Sequence, residues 1–417
     1  MDFEPAPLLV EHLTPARRSL RLAVVTETYP PEVNGVALTA ARFVEELRRR
    51  HHAIQLIRPR QAADESSRVP GPPWDTLTRG VPLPRYPSLR LGLPARRMLV
   101  RAWTAQRPDV VHVVTEGPLG WSALQAARHL RLPVVSDFRT NFHAYSGHYG
   151  AGWLRKPILA YLRKFHNRTL VTFVPTAGLR DQLLAQGFAR VEVVSRGVDT
   201  ERFDPARRDR VLRAAWGAGD ATPVVLHVGR LAPEKNLDLV VRAFHEIARA
   251  NPGTRLVLVG DGPERTRLAA QLPGAVFAGT RTGEELAAHF ASADLFLFPS
   301  LSETYGNVVV EAMASGLPVV AFDCAAAGEH VRCGVNGLLA PPADLDGFVR
   351  RALDLAADPA LGRRLGLAAR RTALTLGWER VALGLERLLL AAACAGTARG
   401  GARLPGLEVA VEGATLP

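Results

Sequence analysis

The sequence predicts an α/β protein made of two doubly wound domains whose parallel sheets face a common cleft. Three observations carry this expectation. Short, fully apolar runs rich in β-branched residues recur along the chain, and most are followed by segments with apolar residues at helical spacing. Strands that lack polar alternation are covered on both faces, which is the mark of a parallel sheet. The alternation comes in two sets, split near residue 200 by the polar, turn-rich VDTERFDPARRDR.

The first set opens with LRLAVVT, a strand ending near Thr26. The turn-forming ETYPPEVNGV follows, then a helix through ALTAARFVEELRRR, with arginines at the end favoured by the helix dipole. PDVVHVVT (108–115), LPVVSDF (132–138) and LVTFVPT (170–176) read as strands, 119–130 and 178–186 as helices, and VEVVSRG closes the half. In the second set PVVLHVG (223–229), RLVLVG (255–260), AVFAG, DLFLFPS (294–300) and LPVVAFD read as strands. Helices are expected over 236–250, 264–271, 284–292 and 306–315. The expected domains are 1–200 and 201–377. A helix with one apolar side follows over 378–393 and crosses back to the first domain, and 394–417 reads as a loose tail. Ligands of open parallel sheets bind outside the carboxyl ends of the strands, so facing sheet ends define where a site belongs.

Composition narrows the function. The chain has 417 residues, 47% of them hydrophobic, which excludes global disorder. Cys324, Cys333 and Cys394 are scattered, so neither a disulfide scaffold nor a zinc cluster is expected, and a reducing compartment is the natural reading. No apolar run reaches 18 residues, and the start MDFEPAPLLVEHLTPARRS does not read as a secretory signal. The expected location is cytoplasmic, with the inner face of the cell membrane as a place of peripheral contact. Residues 1–200 hold 28 Lys+Arg against 16 Asp+Glu, whereas residues 201–417 hold 24 of each. The first half therefore suits an anionic partner: nucleic acid, an acidic lipid surface or an anionic substrate. Nucleic acid fits least, because aromatics are only 6% and no binding module is present.

Two stretches carry candidate chemistry. In PSLSETYGNVVVEAMASGLPVVA a strand ends at Phe298 and a helix is expected from near Tyr305, with Glu303 in the loop and Glu311 inside the helix. A helix N-terminus suits a phosphate, Gly306 permits close backbone approach, and carboxylates accept from sugar or ribose hydroxyls. In HVGRLAPEKNLDLVVRAF, Arg230 and Lys235 flank a strand-to-helix loop, an arrangement that can hold a diphosphate from two sides. Taken alone, the glutamates also fit a cap plus a solvated side chain, and the cations also fit a solvated loop. Both stretches follow strands of the same half, which favours the functional reading.

GRLAPEKN, VGDGPE and SETYGNVVVEAMASGLPVV together resemble retaining glycosyltransferase family 4, and PPEVNGV and GVDTERFDP are similar to the same family. The resemblance spans about residues 20–390 and implies a GT-B fold of two Rossmann-like domains and a nucleotide-sugar transferase. It implies that Arg230 and Lys235 hold the donor diphosphate, Glu303 the transferred hexose and Glu311 the ribose. Tyr305, Gly306 and Asn307 would form the turn facing the phosphates, and Gly35 a loop of the first domain closing over the donor. It further implies His143 facing the sugar from that domain, with Asn141 or His148 as alternatives. Such enzymes retain anomeric configuration, by a front-face mechanism in the usual proposal, and no second carboxylate on the first domain's wall is evident in the sequence. No metal or other cofactor is expected: Asp344-Leu345-Asp346 follows PPA and precedes a helix, so it reads as an N-cap. The N-terminal stretches most resemble GDP-mannose-dependent mannosyltransferases that build glycolipids. Transferases that form glucosyl or sulfoquinovosyl diacylglycerol from UDP-sugars are similar there. Sugar-nucleotide 2-epimerases share the fold but lack the combined motifs. The basic run PLPRYPSLRLGLPARRMLVRAW (82–103) fits either an anionic membrane contact or an ordinary solvated helix and loop. A lipid-linked or glycan acceptor is the expected partner.

Overall fold

The computed structural model describes residues 18–32, 34–60, 75–83, 86–139 and 155–397. The first domain runs β1 (Arg21–Val25), α1 (Gly35–Arg49), β2 (Ala53–Pro59), β3 (Asp75–Thr78), β4 (Gly80–Leu83), β5 (Tyr86–Gly92), α2 (Arg96–Ala105), β6 (Val110–Val113), α3 (Pro118–His129), β7 (Val134–Asp137), α4 (Arg155–His166), β8 (Val171–Val174), α5 (Ala177–Ala185) and β9 (Val191–Val193). Its seven-stranded sheet has the order β3-β2-β1-β6-β7-β8-β9 and is parallel throughout.

The second domain runs α6 (Arg210–Ala215), β10 (Val224–Val228), α7 (Leu237–Ala250), β11 (Arg255–Val259), α8 (Arg265–Gln271), β12 (Val276–Gly279), α9 (Gly283–Ser292), β13 (Leu295–Phe298), α10 (Asn307–Ala314), β14 (Val319–Phe322), α11 (Ala325–His330), β15 (Leu338–Ala340), α12 (Leu345–Ala357) and α13 (Pro359–Leu374). Its sheet order is β12-β11-β10-β13-β14-β15, again parallel. Strand order reverses direction between β1 and β6 in one sheet and between β10 and β13 in the other. These are the crevices where such sheets bind ligands.

Strand β2 escapes the apolar pattern because Gln55 and Arg58 interrupt it. Both have distant partners: Arg58 pairs with Asp75 at 2.8 Å and Gln55 accepts from the Trp103 indole at 3.1 Å. The last helix, α14 (Trp378–Thr397), buries Leu385, Leu389, Ala392 and Ala393 in one cluster with Leu22, Val24 and Phe43 of the first domain. It extends beyond the expected 378–393. At Gly396 a side chain would meet Pro133 Cγ at 2.7 Å, so its absence lets the helix end pack there. The chain crosses between domains twice, side by side: Val198 N donates to Leu376 O at 3.0 Å.

The described residues of the basic run 82–103 fall in the antiparallel β4–β5 pair, in α2 and in the link between them. Leu99 and Trp103 are fully buried in the core, which removes them from any lipid contact, while Arg96, Arg97 and Arg101 stay exposed. Among the described residues no helix is long and apolar enough to cross a membrane.

Candidate active site

On the second domain's wall, β10 ends at Val228 and passes Gly229, Arg230 and Leu231 across the loop after β11. Gly260 (φ 134°) and Gly262 (φ 159°) make this crossing possible, since added Cβ atoms would lie 1.9 Å from Gly229 O and 2.3 Å from Leu231 O. Leu231 N donates to Asp261 O and Glu264 N to Leu231 O, each at 2.9 Å. The VGDGPE motif thus holds the Arg230 loop against its neighbour. Lys235 closes a short turn, and Asn236, at φ 54°, redirects the chain into α7.

The loop after β13 presents Glu303. Lys235 Nζ forms an ion pair with Glu303 Oε1, and Ser300 Oγ donates to the same oxygen at 2.9 Å. Arg230 Nη1 lies 3.5 Å from Glu234 Oε1. Helix α10 begins at Asn307 rather than near Tyr305, because Gly306 at φ 89°, ψ 66° is left-handed and breaks the helical path. Glu311 lies one turn inside. Burial pushes its carboxyl up to about 7, with Arg202 opposing the shift. Neither glutamate is therefore a freely solvated side chain.

Tyr305 turns its side chain away from the loop into the domain junction. It is 1% exposed, and its hydroxyl donates to Arg196 O at 3.0 Å and lies 3.0 Å from His330 Nε2. Its side chain positions the crossing segment, which leaves only its backbone to face a phosphate. Gly35 opens α1, whose N-cap Asn34 accepts from Val36 N and Ala37 N at 3.0 and 2.8 Å. A Cβ on Gly35 would lie 2.9 Å from Arg196 Nη1 and 3.8 Å from Asn307 Nδ2, so both domains meet at this glycine. His143, with its alternatives Asn141 and His148, lies outside the described residues.

Structure adds residues to which the sequence assigned no role. Glu27, Glu32 and Glu116 line the first domain's side of the cleft, where no carboxylate was legible in the sequence. Glu27 Oε1 accepts from Leu119 N at 2.8 Å, yet burial outweighs that bond and raises its carboxyl to about 7. Glu32 takes a hydrogen bond from the Thr28 hydroxyl, and Glu116 lies 3.2 Å from His166 Nε2. Their signal is positional: Glu27 and Glu116 lie just past the ends of β1 and β6, the two strands flanking the crevice. Arg139 and Arg196 also face it. These groups, with Gly35, Arg230, Lys235, Glu303, Tyr305, Gly306, Asn307 and Glu311, line one cavity of about 1070 Å³. Asp344 caps α12 by accepting from Gly347 N at 2.8 Å, and Asp346 pairs with Arg242. Among the described residues no group of three or more His, Cys, Asp or Glu could hold a metal ion.

The model of Glycosyltransferase Family 4 matches residues 33–202 and that of Glycosyl transferases group 1 matches residues 222–358. A GDP-mannose-dependent alpha-mannosyltransferase of Mycobacterium tuberculosis is 38% identical over 371 residues, covering 87% of this chain and 94% of that protein. The chain belongs to glycosyltransferase family 4. The sulfoquinovosyl transferase SQD2 of Arabidopsis thaliana is 31% identical over 388 residues, covering 90% of this chain and 74% of that protein. Among solved structures, sucrose-phosphate synthase from Thermosynechococcus elongatus superposes with a TM-score of 0.72 at 20% identity, covering 91% of this chain and all (100%) of that one. Anabaena HepE in complex with UDP-glucose superposes with a TM-score of 0.69 at 20% identity, covering 89% and 99%. The fold is GT-B, and this family 4 member is a glycosyltransferase whose cleft lies between the two Rossmann-like domains.

Proposed function

We propose that this cleft moves mannose from GDP-mannose to a lipid-linked or glycan acceptor, with retention and without a metal. The observation that carries the reading is the convergence of Arg230, Lys235, Glu303, Glu311 and the α10 N-terminus in one cavity. Arg230, Lys235 and the free N–H groups at Gly306 and Asn307 surround the diphosphate and stabilise the charge that develops on the leaving phosphate. Glu311 accepts from the ribose hydroxyls. Glu303, held by Lys235 and Ser300, accepts from the hexose hydroxyls beside the anomeric carbon. The family resemblance assigns the sugar-facing role on the first domain to His143, with Asn141 or His148 as alternatives. As the bond from the anomeric carbon to the phosphate oxygen breaks, the acceptor oxygen bonds to that carbon on the same face and its proton passes to the departing phosphate oxygen. The reacting charges are then met by side chains and backbone, and Asp344 and Asp346 are engaged elsewhere.

The mannosyl donor is supported by the names of the mycobacterial relatives. A lipid-linked acceptor is supported by the apolar lining that Leu91, Ile158, Tyr161 and Leu162 give the first domain's wall. A UDP-sugar donor with a diacylglycerol-type acceptor is the second reading, favoured by the similarity to the sulfoquinovosyl transferase. A thermal-shift series with GDP-mannose, UDP-glucose and UDP-galactose separates them. A donor at 100 times its Kd stabilises by about 2.7 kcal/mol. The expected result is a shift with GDP-mannose; a shift with UDP-glucose alone would replace the first reading by the second.

A further inference from the structure

Arg196 is a buried cation that forms no ion pair with a carboxylate among the described residues, although the charges of Glu303 and Asp137 lie near enough to favour its charged form. It belongs to the segment crossing from β9 into the second domain and is 5% exposed. Its Nη1 donates to Asn307 Oδ1 at 3.2 Å, and its guanidinium stands 5.7 Å from the Tyr305 ring centroid. Its Nε is buried without a hydrogen-bond partner, and among the described residues no carboxylate forms an ion pair with it. Burial, with nearby Arg139 adding to it, lowers its pKa to about 10, which still leaves it charged at neutral pH. Arg139 differs, because it is neutralised by Asp137 at 3.0 Å.

Keeping an unpaired guanidinium out of water is expensive unless an anion arrives to meet it. The place where one would arrive is defined on two sides. Asn307, which Arg196 touches, is the first residue of α10, whose unpaired N–H groups favour the same kind of ligand. Gly35, from the other domain, leaves the space the guanidinium occupies. Arg230 and Lys235, from the second domain, line the same cavity.

We infer that Arg196 is a third cation of the diphosphate site, contacting the terminal, sugar-linked phosphate, and that position 35 is glycine so that this guanidinium can reach it. The inference rests on the diphosphate reading of the cleft given above. It makes Arg196 a binding residue whose loss is felt by ligands that carry the second phosphate and not by those that lack it.

Calorimetry of GDP against GMP, and of UDP against UMP, tests this on the full chain. For whichever base binds, Arg196→Gln is expected to weaken the diphosphate by about 10–100-fold, the scale of one charged hydrogen bond, and the monophosphate by less than about threefold. Arg196→Lys, which keeps the charge, is expected to recover most of the loss. Gly35→Ala leaves Arg196 in the chain but displaces its guanidinium, and is expected to show the same split; it carries the test should Arg196→Gln not fold. Parallel weakening of mono- and diphosphate, or no change in either, would overturn the inference. If the unaltered chain bound no nucleoside diphosphate, the diphosphate reading itself would fail. If Lys235→Ala lost diphosphate binding while Arg196→Gln kept it, only the role of Arg196 would fall.

Discussion

Gly306→Ala isolates what the left-handed turn before α10 contributes. At φ 89° an L-residue is disfavoured by about 1–2 kcal/mol. The added Cβ would also meet Phe298 Cε1 at 3.3 Å and Glu303 Cγ at 3.5 Å, so the neighbours must yield slightly. For domains of this size, about 1–2 kcal/mol lowers Tm by roughly 2–8 °C. If the substituted backbone relaxes toward the right-handed region, the N–H groups at the helix start swing off the phosphate, and a charged hydrogen bond worth about 1.5–3 kcal/mol is lost. Nucleoside diphosphate affinity should then fall about 10–100-fold. Gly283→Ala is the matched control: its φ is 55°, no atom lies within 4 Å of the added Cβ, and it opens a helix away from the cleft. The two variants should melt within a few degrees of each other, while calorimetry shows weakened binding only for Gly306→Ala. Unaltered binding in Gly306→Ala, or equal loss in both, would refute the role assigned to this turn.

Four further outcomes are expected. Glu311→Gln should raise donor KM and weaken free nucleoside diphosphate, whereas Glu303→Gln should lower kcat and leave nucleoside diphosphate binding nearly intact, because that product carries no hexose; calorimetry plus initial rates show whether the roles must be exchanged. The Glu311 carboxyl, at about 7, must be ionised to accept both ribose hydroxyls, so nucleotide affinity should rise with pH and level off above about 7, and Glu311→Gln should remove that part of the rise. In the ligand-free chain the sign is opposite: the folded state keeps a proton that the unfolded chain releases from about 4.5, so the Glu311 contribution to stability is present below that pH and lost as pH climbs through 7, as melts across the range would show. Finally, transfer rates in EDTA should match those in magnesium; complete loss, restored by Mg²⁺ or Mn²⁺, would reveal a metal requirement.

Arg230, Lys235 and Glu303 were legible because each lies in a loop that directly follows a strand, and Glu311 because it lies one turn into the helix that the Glu303 loop feeds, so local pattern alone brings them to the carboxyl edge of one sheet. Glu27 and Glu116 required the strand order, since 88 residues separate the Thr115 hydroxyl from the Glu27 amide it accepts from. Arg196 was illegible for a different reason. In a chain with 52 Lys+Arg a single arginine carries no signal until its burial and its lack of an ion pair among the described residues are seen. Strand β2 was hidden by Arg58 and Gln55, whose partners lie on other elements. Tyr305 was read with the phosphate turn through its neighbours, yet its side chain serves the junction between domains.

The central claim is that the cations and the α10 N-terminus hold a donor diphosphate. A crystal structure with bound GDP tests it most directly. The account predicts the diphosphate within hydrogen-bonding distance of the Arg230 and Lys235 side chains and the Gly306–Asn307 amides, with Glu311 on the ribose. GDP seated instead in the adjoining cavity lined by Thr176, Gln182, Asp323 and Glu329, with Arg230, Lys235 and the Gly306–Asn307 amides empty, would contradict it.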